Sequence, residues 1–488
     1  MPGPNNIKKD TISGVKWTSI ENIALSGSQF LIGIVLARRL DPEDFGLVGM
    51  LAIFIAISTT FIDSGFSNAL IRKPDRTEID YHTTFHFNFV VGITCYILLF
   101  LASPWIADFF NKPILSDLLK VLAITLFVNS LSVVQIARLT INLNFKAQTI
   151  ATISASVISG AIGIAMAYTG HGVWSLVWQQ VFNSIFKTLI VWIQAKWVPK
   201  FKFSTKSFKA LFSFGSKLLA ASIIGTIYKH ITTISIGKFY TSKDLGFYSR
   251  GSQFAHFPVN VIMTSLGKVT FPILAKIQED DSKLISVYRK YIRITSLVII
   301  FVIMLMAAIA KPLILIVLTE KWSDAIIYMQ IFCLAYMFEH ISTINLNLLN
   351  VKGRSDLFLK LEVIKKIIAF IILIAAIPLG VLAICLSKVI YSIIALFINT
   401  YYTGKLFNLG IKKQIEDFGK YTILSFLSCI PSFISTYLII SPWLTLPISS
   451  IVAIALYTLC LQNDLYFKEL KSLTIERFRF RKNNDNQH

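Results

Sequence analysis

The chain has 488 residues, of which 55% are hydrophobic and only 15% are charged, and its formal net charge is +21. A soluble protein of this length carries nearer one quarter charged residues, because each of its domains needs a polar surface. The apolar residues instead fall in runs of about 18 to 25, long enough to cross ~30 Å of hydrocarbon as a helix. The composition excludes an ordinary soluble enzyme and predicts a membrane protein.

The positive charge lies between the apolar runs rather than along one face of an element. This distribution is typical of the cytoplasmic loops of a membrane protein, so nucleic acid is not predicted as a partner. No Walker A, HExxH or GxSxG sequence occurs, and we predict neither a metal nor a cofactor. The cysteines are predicted to be small buried hydrophobes without disulfides. They are Cys95, Cys333, Cys385, Cys429 and Cys460.

The hydropathy pattern predicts an all-α polytopic protein with about fourteen transmembrane helices. The predicted spans lie at 14–38, 45–70, 83–106, 114–137, 147–169, 173–195, 208–237, 245–274, 290–311, 325–350, 357–379, 381–404, 417–440 and 443–464. We divide them into an N-lobe at 1–200 with six spans, a C-lobe at 201–405 with six spans, and an additional helix pair at 406–465. A basic cytoplasmic tail follows at 466–488.

The basic residues predict the orientation of the chain. If the N-terminus is cytoplasmic, most Lys and Arg residues lie on cytoplasmic segments, and the bias recurs at every loop. The outside segments then hold only Arg38, Arg39, Lys112, Lys238, Lys243, Lys311 and Lys321. We therefore predict a multi-pass protein of the bacterial inner membrane with both termini in the cytoplasm.

The first and seventh spans end in similar turns. Each has a basic exit, then an Asp, an apolar residue and a Gly, with Asp44 and Asp244 two hundred residues apart. We expect each Asp to cap the incoming helix. The match predicts parallel repeats of six helices, as in transporters with a site at the membrane midplane. The alternative is two similar hairpin turns in unrelated halves.

Polar side chains recur at helical spacing in four spans. The stripes are Thr18, Asn22, Ser26, Gln29 and Gly33 in the first; Thr59, Thr60, Asp63 and Ser67 in the second; Lys217, Ala221, Gly225, Tyr228 and Thr232 in the seventh; and Ser249, Gln253, His256, Asn260, Thr264 and Gly267 in the eighth. A polar stripe on an apolar helix predicts a surface that lines water or a polar substrate. The alternative is a set of hydrogen bonds that hold the bundle together.

Charged side chains in apolar spans favour the first interpretation. Lys217, Lys229 and Arg250 fall on or beside the stripes of the seventh and eighth spans. Charges in lipid face a cavity or a partner, and a basic cavity selects anions. Plainer interpretations remain for others: Arg38 can extend toward the interface, and Asp63 can pair with a base. His340 is predicted to be a hydrogen-bonded bundle histidine, which is also an alternative for His256.

Two stretches of the sequence resemble Wzx-type polysaccharide flippases of the multidrug/oligosaccharidyl-lipid/polysaccharide (MOP) superfamily. They are Leu245-Gly246-Phe247-Tyr248-Ser249-Arg250, Phe257-Pro258-Val259-Asn260 and Phe271-Pro272-Ile273-Leu274 in the second half, and Trp17-Thr18, Gln29-Phe30, Ala37-Arg38-Arg39-Leu40 and Phe45-Gly46 in the first. The likeness covers nearly the whole chain and is closest to the colanic and teichuronic acid branch. In one departure, Thr232 stands where relatives often carry Asp, which puts an ion or proton partner there in doubt.

The resemblance implies a non-enzymatic flippase with two six-helix lobes around a central cavity, working by alternating access. The implied cargo is an undecaprenyl-diphosphate-linked oligosaccharide for surface polysaccharide assembly. Further implied partners are membrane lipids, a polysaccharide polymerase and chain-length machinery. On this basis we expect three groups of side chains to act. They are Lys217, Lys229, Arg250 and Arg38 on the diphosphate; Gln29, Gln253 and Asn260 on sugar hydroxyls; and Glu21, Asp63 and His256 in ion or proton coupling.

Three other functions compete with this one. A lipid II flippase is not separated from it by the sequence. A cation-coupled multidrug exporter of the same superfamily would need an acidic cavity, whereas the predicted one is basic. A membrane glycosyltransferase or polymerase would need a sizeable outside loop to carry its catalytic groups, and the predicted outside loops are short.

Overall fold

A computed structural model describes residues 4–63, 65–439 and 441–472, and no strand occurs among them. The helices are α1 Pro4–Arg39, α2 Pro42–Asp63, α3 Phe66–Arg72, α4 Glu78–Phe109, α5 Ile114–Leu122, α6 Ile124–Ser130, α7 Val133–Ile141, α8 Phe145–Tyr168, α9 Trp174–Ala195, α10 Thr205–Phe239, α11 Ser242–Lys276, α12 Asp281–Ala308, α13 Ala310–Val317, α14 Ala325–Tyr336, α15 Glu339–Val351, α16 Ser355–Ala376, α17 Val381–Phe407, α18 Ile411–Leu438 and α19 Pro442–Cys460. Short 3₁₀ turns lie at Glu320–Trp322 and Ile377–Leu379.

Within the described residues, 11 helices are long and apolar enough to cross a membrane, or 12 if a helix pair bent by 40° counts as one span. That pair, Ile114–Ser130 with Val133–Ile141, coincides with the predicted fourth span. The prediction of about fourteen spans is therefore not confirmed. The helix α16 coincides with the predicted eleventh span, but Asp356, Lys360, Glu362, Lys365 and Lys366 make its first half too polar for this test.

The described chain forms two compact units, Met1–Ser249 and Arg250–His488. The first unit therefore contains α10 and the beginning of α11. The lobe boundary predicted at residue 200 rests on the sequence repeat and stays a prediction.

The first unit is built around α1, α8 and α9, with α10 packed on α2. Small residues let these helices approach closely, as is usual in membrane bundles. Gly160 of α8 lies against the side chain of Ile32, and Gly163 lies against Gln179. Ser28 and Ser156 share a hydrogen bond of 3.1 Å between α1 and α8. Ser28 is thus a polar residue of α1 that helps to hold the bundle together.

Ion pairs and capping bonds join the end of α3, the start of α4 and the segment between α9 and α10 in the first unit. The carboxylate of Asp80 is buried and accepts from Lys73 Nζ at 2.8 Å and from the backbone N of Thr77 at 2.8 Å. This bond to Thr77 is half of a capping box that begins α4. Two residues beyond Asp80 on α4, the imidazole of His82 accepts from the backbone N of Lys200 at 3.1 Å, which holds the segment between α9 and α10.

The predicted additional helix pair corresponds to α18 and α19 and packs in the second unit, where α18 lies along α12. Asp417 of α18 is buried, and its carboxylate accepts from Arg289 Nε at 2.8 Å and Arg293 Nε at 2.7 Å. At the other helix of the pair, the Tyr457 hydroxyl donates to the backbone oxygen of Leu297 at 2.8 Å. Charged and neutral hydrogen bonds therefore both fix this pair to α12.

The two turns of the predicted repeat have the same capping geometry. Asp44 Oδ2 accepts from the backbone N of Asp41 at 3.0 Å, and Asp244 Oδ2 accepts from the backbone N of Thr241 at 3.2 Å. The Thr241 hydroxyl oxygen also accepts from the backbone N of Asp244, which completes a capping box there. Each Asp side chain thus bonds the backbone N–H of the residue just before the helix.

Candidate functional site

Arg250 is the most deeply buried of the predicted site residues whose side chains are described, with 7% of its surface exposed. It lies on α11 and donates from a guanidinium nitrogen to Oε1 of Gln253. Residues three apart share one face of a helix, so the pair forms a single polar position. Gln253 is exposed, and its amide is therefore accessible beside the buried guanidinium.

The other predicted diphosphate-binding residues lie in the first unit. Lys229 is exposed on α10, and Arg38 is exposed at the end of α1. The side chain of Lys217 lies outside the described residues. Because Lys229 and Arg250 belong to different units, the expectation that these basic residues act together stays a prediction.

The three predicted sugar-binding residues all have exposed side chains. Gln29 lies on α1, whereas Gln253 and Asn260 lie seven residues apart on α11, on one face of that helix. Asn260 Oδ1 accepts from the Thr264 hydroxyl at 3.2 Å, and its amide N–H₂ is a donor that a sugar oxygen could use.

His256 lies in a polar group that the sequence did not predict. Its Nε2 is 3.5 Å from a carboxylate oxygen of Glu339 on α15, and its ring centroid is 4.8 Å from that of Tyr336. The Tyr336 hydroxyl in turn shares a hydrogen bond of 2.8 Å with Ser252. Imidazole and carboxylate together can hold and exchange a proton. The signal in the sequence was an acid within the predicted apolar span 325–350.

The remaining predicted coupling residues differ from His256. Glu21 accepts from the Thr152 hydroxyl at 3.1 Å, a contact between α1 and α8. The side chain of Asp63 lies outside the described residues. His340, predicted to be a bundle histidine, is buried and shares a hydrogen bond of 2.9 Å with Ser296, which confirms that prediction.

No group of three or more His, Cys, Asp or Glu residues among the described side chains is arranged to hold a metal ion. The five cysteines are all free thiols.

Comparison with known proteins identifies the family. A family model described as "Polysaccharide biosynthesis protein" matches residues 35–327. The chain belongs to this family. Among its relatives, the teichuronic acid biosynthesis protein TuaB of Bacillus subtilis (strain 168) is 26% identical over 355 residues, which are 72% of this chain and 73% of TuaB. The lipopolysaccharide biosynthesis protein WzxC of Escherichia coli (strain K12) is 25% identical over 362 residues, 74% of each chain.

The fold of this polysaccharide biosynthesis protein is similar to that of solved transporter structures. The lipid II flippase MurJ, in an inward closed conformation, matches with a TM-score of 0.74 at 14% identity, over 91% of this chain and 99% of MurJ. An inward-facing multidrug resistance MATE transporter of the MOP superfamily matches with a TM-score of 0.57 at 13% identity, over 80% of this chain and 98% of that one. The predicted MOP-like fold is confirmed, and the chain is a multi-pass membrane protein with the fold of transporters.

Proposed function

We propose that this protein is a flippase that moves undecaprenyl-diphosphate-linked oligosaccharide units from the cytoplasmic to the outer leaflet of the bacterial inner membrane by alternating access. Membership of the polysaccharide biosynthesis family and the MOP-like fold support transport in such a pathway. The observation that carries the choice of an anionic cargo is the position of Arg250, a buried guanidinium beside the exposed amide of Gln253.

The energetics of the cargo explain why a buried cation is needed. A diphosphate carries about two negative charges, each worth ~2.3 kcal/mol per 100 mV of membrane potential. With the cytoplasm negative, the field drives this head group outward. Moving the charged head group out of water without new hydrogen bonds or counter-charges would nevertheless cost far more free energy than the membrane potential supplies. A flippase must therefore offer cationic and hydrogen-bonding side chains along the path of the head group.

The proposal divides the work among the predicted residues. Basic side chains bind the diphosphate, amide side chains bind sugar hydroxyls, and the polyprenyl chain remains in the lipid. The diphosphate set is Lys217, Lys229, Arg250 and Arg38, and the sugar set is Gln29, Gln253 and Asn260. The flipped unit would then be delivered to a polysaccharide polymerase with its chain-length machinery. Both termini of the flippase would lie in the cytoplasm.

Lipid II transport is the second candidate, because the fold is similar to that of MurJ. At 14% identity the similarity concerns the fold alone. The two cargoes share a polyprenyl diphosphate and differ in the attached sugars. A reconstituted transport assay in which lipid II and a lipid-linked polysaccharide repeat unit compete would decide between them. Stronger competition by lipid II would favour the second candidate.

The test of the proposed function compares variants on one helix. Arg250→Gln removes the charge, Arg250→Lys keeps it, and Lys276→Ala removes an exposed cation at the end of the same helix. We expect loss of surface polysaccharide with Arg250→Gln, partial function with Arg250→Lys, and normal export with Lys276→Ala. Immunoblots of membrane fractions would establish equal insertion.

A double variant, Lys217→Ala with Arg250→Ala, is the stringent version of this test. We expect it to abolish export while the protein still inserts. Normal export by the double variant, or by Arg250→Gln, would refute the assignment of these cations to the diphosphate.

A further inference from the structure

A cavity of about 260 Å³ lies in the second unit where three helices end or begin. Its wall consists of Lys311, Pro312 and Leu315 from α13, Thr436, Tyr437 and Ile439 at the end of α18, and Pro442 and Thr445 at the start of α19. These residues have no role in the proposed transport site.

The cavity lies at the opposite end of α18 from the ion pairs of Asp417. About twenty residues of helix separate Asp417 from Leu438, which is ~30 Å and equals the thickness of the hydrocarbon core. Because the predicted span 417–440 begins at Asp417, we expect the cavity to lie at the level of the opposite membrane surface. Tyr437 lines the cavity and Trp443 follows the lining residue Pro442 in the sequence, and the two side chains are 61% and 69% exposed. Exposed Tyr and Trp residues are typical of the membrane–water interface.

Lys311 provides the positive charge of the cavity. Its Nζ lies 4.8 Å from the ring centroid of Tyr437, in a cation–π contact. In the part of the chain that the structure describes, no carboxylate lies within 4.0 Å of this ammonium group. The ammonium group of Lys311 faces the cavity and, among the described residues, has no acidic partner there. Such a group can form a charge-assisted hydrogen bond with an anion.

The surroundings indicate that this anion belongs to a lipid. Leu438 and Leu444, which follow the two exposed aromatic residues in the sequence, are exposed apolar side chains that can contact acyl chains. The Thr436 and Thr445 hydroxyls donate within their own helix regions, to Phe433 O at 2.7 Å and Ser441 O at 2.8 Å. Lys311 is thus the main donor, which suits one phosphate group better than a polyhydroxylated sugar.

We propose that this cavity binds the phosphate of an anionic phospholipid in the adjacent leaflet, and that Lys311 holds it. On the predicted orientation this is the outer leaflet. The bound lipid would contact α13, α18 and α19 together and would stabilise the attachment of the helix pair α18–α19 to the rest of the second unit.

The test measures lipid retention by the purified full-length protein with native mass spectrometry. Phosphatidylglycerol, phosphatidylcholine and inorganic phosphate are compared for the wild type, Lys311→Gln and Lys311→Arg. The matched control is Lys243→Gln. Lys243 is another lysine predicted to lie outside, 5.5 Å over the ring of Phe247, and it does not line this cavity.

We expect the wild type and Lys243→Gln to retain phosphatidylglycerol, Lys311→Gln to retain it about tenfold less, and Lys311→Arg to retain most of it. Phosphatidylcholine, whose choline neutralises its phosphate, should bind weakly to all. Equal retention by Lys311→Gln and wild type would overturn the proposal. Displacement of the lipid by millimolar inorganic phosphate would show a free-phosphate site instead, and would overturn the lipid assignment.

Discussion

Gly46 lies directly against the backbone carbonyl oxygen of Ser242, so closely that an added Cβ would overlap it. Gly246 lies in the same way against the backbone oxygen of Pro42. The second contact repeats the first with the two segments exchanged, because position 46 meets position 242 and position 246 meets position 42. A reciprocal pair of contacts of this kind is the pattern of two copies related by a two-fold axis. Glu43 strengthens this joint by accepting from the Ser242 hydroxyl and from Lys112 Nζ, both at 2.8 Å. The two turns therefore pack against each other reciprocally, whereas the parallel repeat of six helices stays a prediction.

Replacement of either glycine should destabilise the protein by a similar amount. In Gly46→Ala and in Gly246→Ala the new methyl group meets backbone, which cannot move aside as a flexible side chain would. We expect each substitution to lower the free energy of unfolding by about 1–3 kcal/mol. Thermal unfolding of the purified protein in detergent would measure the effect.

The matched control for these variants is Gly225→Ala on α10. Apart from the neighbouring backbone of its own helix, no heavy atom among the described residues lies within 4 Å of a Cβ built there. Alanine also favours a helix over glycine by about 1 kcal/mol, so Gly225→Ala should be neutral or slightly stabilising. If Gly46→Ala unfolds at the temperature of Gly225→Ala, the close packing of the two turns is not needed for stability.

Asp417 is predicted to be the most sensitive ion-pair residue of the second unit. Its carboxylate is fully buried between Arg289 and Arg293. Asp417→Asn removes the buried carboxylate that both guanidinium groups share and leaves Arg289 only the longer contact of 3.7 Å with Glu416. Breaking a buried pair in this way costs about 3–5 kcal/mol. We expect a large fall in melting temperature and in the amount of protein recovered from the membrane.

Asp356→Asn is the comparison for Asp417→Asn. Asp356 pairs with Arg354 at 2.8 Å, but both side chains are largely exposed. Such surface pairs contribute about 0–1 kcal/mol. A small, equal effect of both substitutions would mean that α18 is held to α12 by apolar packing alone.

The sequence predicted the helices well because a membrane span is encoded locally, in one run of apolar residues. Among the described residues, every predicted span coincides with one helix or with consecutive helices, and the predicted break at Gly380, where φ is 104°, is present. The number of membrane spans was harder to predict from the sequence. In α16 the charges from Asp356 to Lys366 lie on a helix whose position in the bundle, rather than its own hydropathy, decides how they are tolerated.

The site was predicted residue by residue, but not its pairings. Arg250 and Gln253 lie one turn apart, so their contact could have been inferred from helical spacing. His256 and Glu339 lie on separate helices, and no local pattern relates them. The same is true of Glu21 and Thr152. Contacts between distant segments depend on tertiary packing, which a single sequence does not encode in any short window.

Acid should loosen the C-terminal helical segment at 465–472. Burial acts to raise the pKa of the Asp464 carboxyl, but hydrogen bonds from Lys420 Nζ and from the backbone N–H groups of Phe467 and Tyr466 outweigh it and hold the pKa below its ordinary value of 3.8. The stabilisation is therefore present at neutral pH and above 3.8, and it is lost as the pH falls through the lowered pKa.

The measurement is amide hydrogen exchange in residues 465–472 at neutral pH for Asp464→Asn and for Glu469→Gln. The first variant loses a buried contact with Lys420 and weakens the cap of the segment, so exchange should become faster. The second loses only a partly exposed pair with Lys290 and should behave like the wild type. Unchanged exchange in Asp464→Asn would contradict the assignment.

Transport should depend on an ion gradient if His256 carries a coupled proton. The imidazole faces Glu339, Tyr336 packs on it, and Ser252 bonds the Tyr336 hydroxyl, so a proton on His256 has a carboxylate partner at 3.5 Å. In proteoliposomes, we expect collapse of the proton gradient to slow flipping by the wild type. His256→Ala and Glu339→Gln should flip slowly with or without the gradient.

His340→Gln is the control that separates coupling from packing. His340 is also a histidine of the second unit, but it is buried against Ser296 and has no carboxylate partner among the described residues within 4.0 Å. The variant should lose stability and keep its response to the gradient, because its imidazole takes no part in proton exchange. Glu21 and Asp63 remain candidates if His256→Ala still responds to the gradient. Wild-type flipping that is indifferent to collapse of both the proton and the sodium gradients would exclude coupling by any of the three, and the membrane potential acting on the diphosphate would then be the driving force that remains.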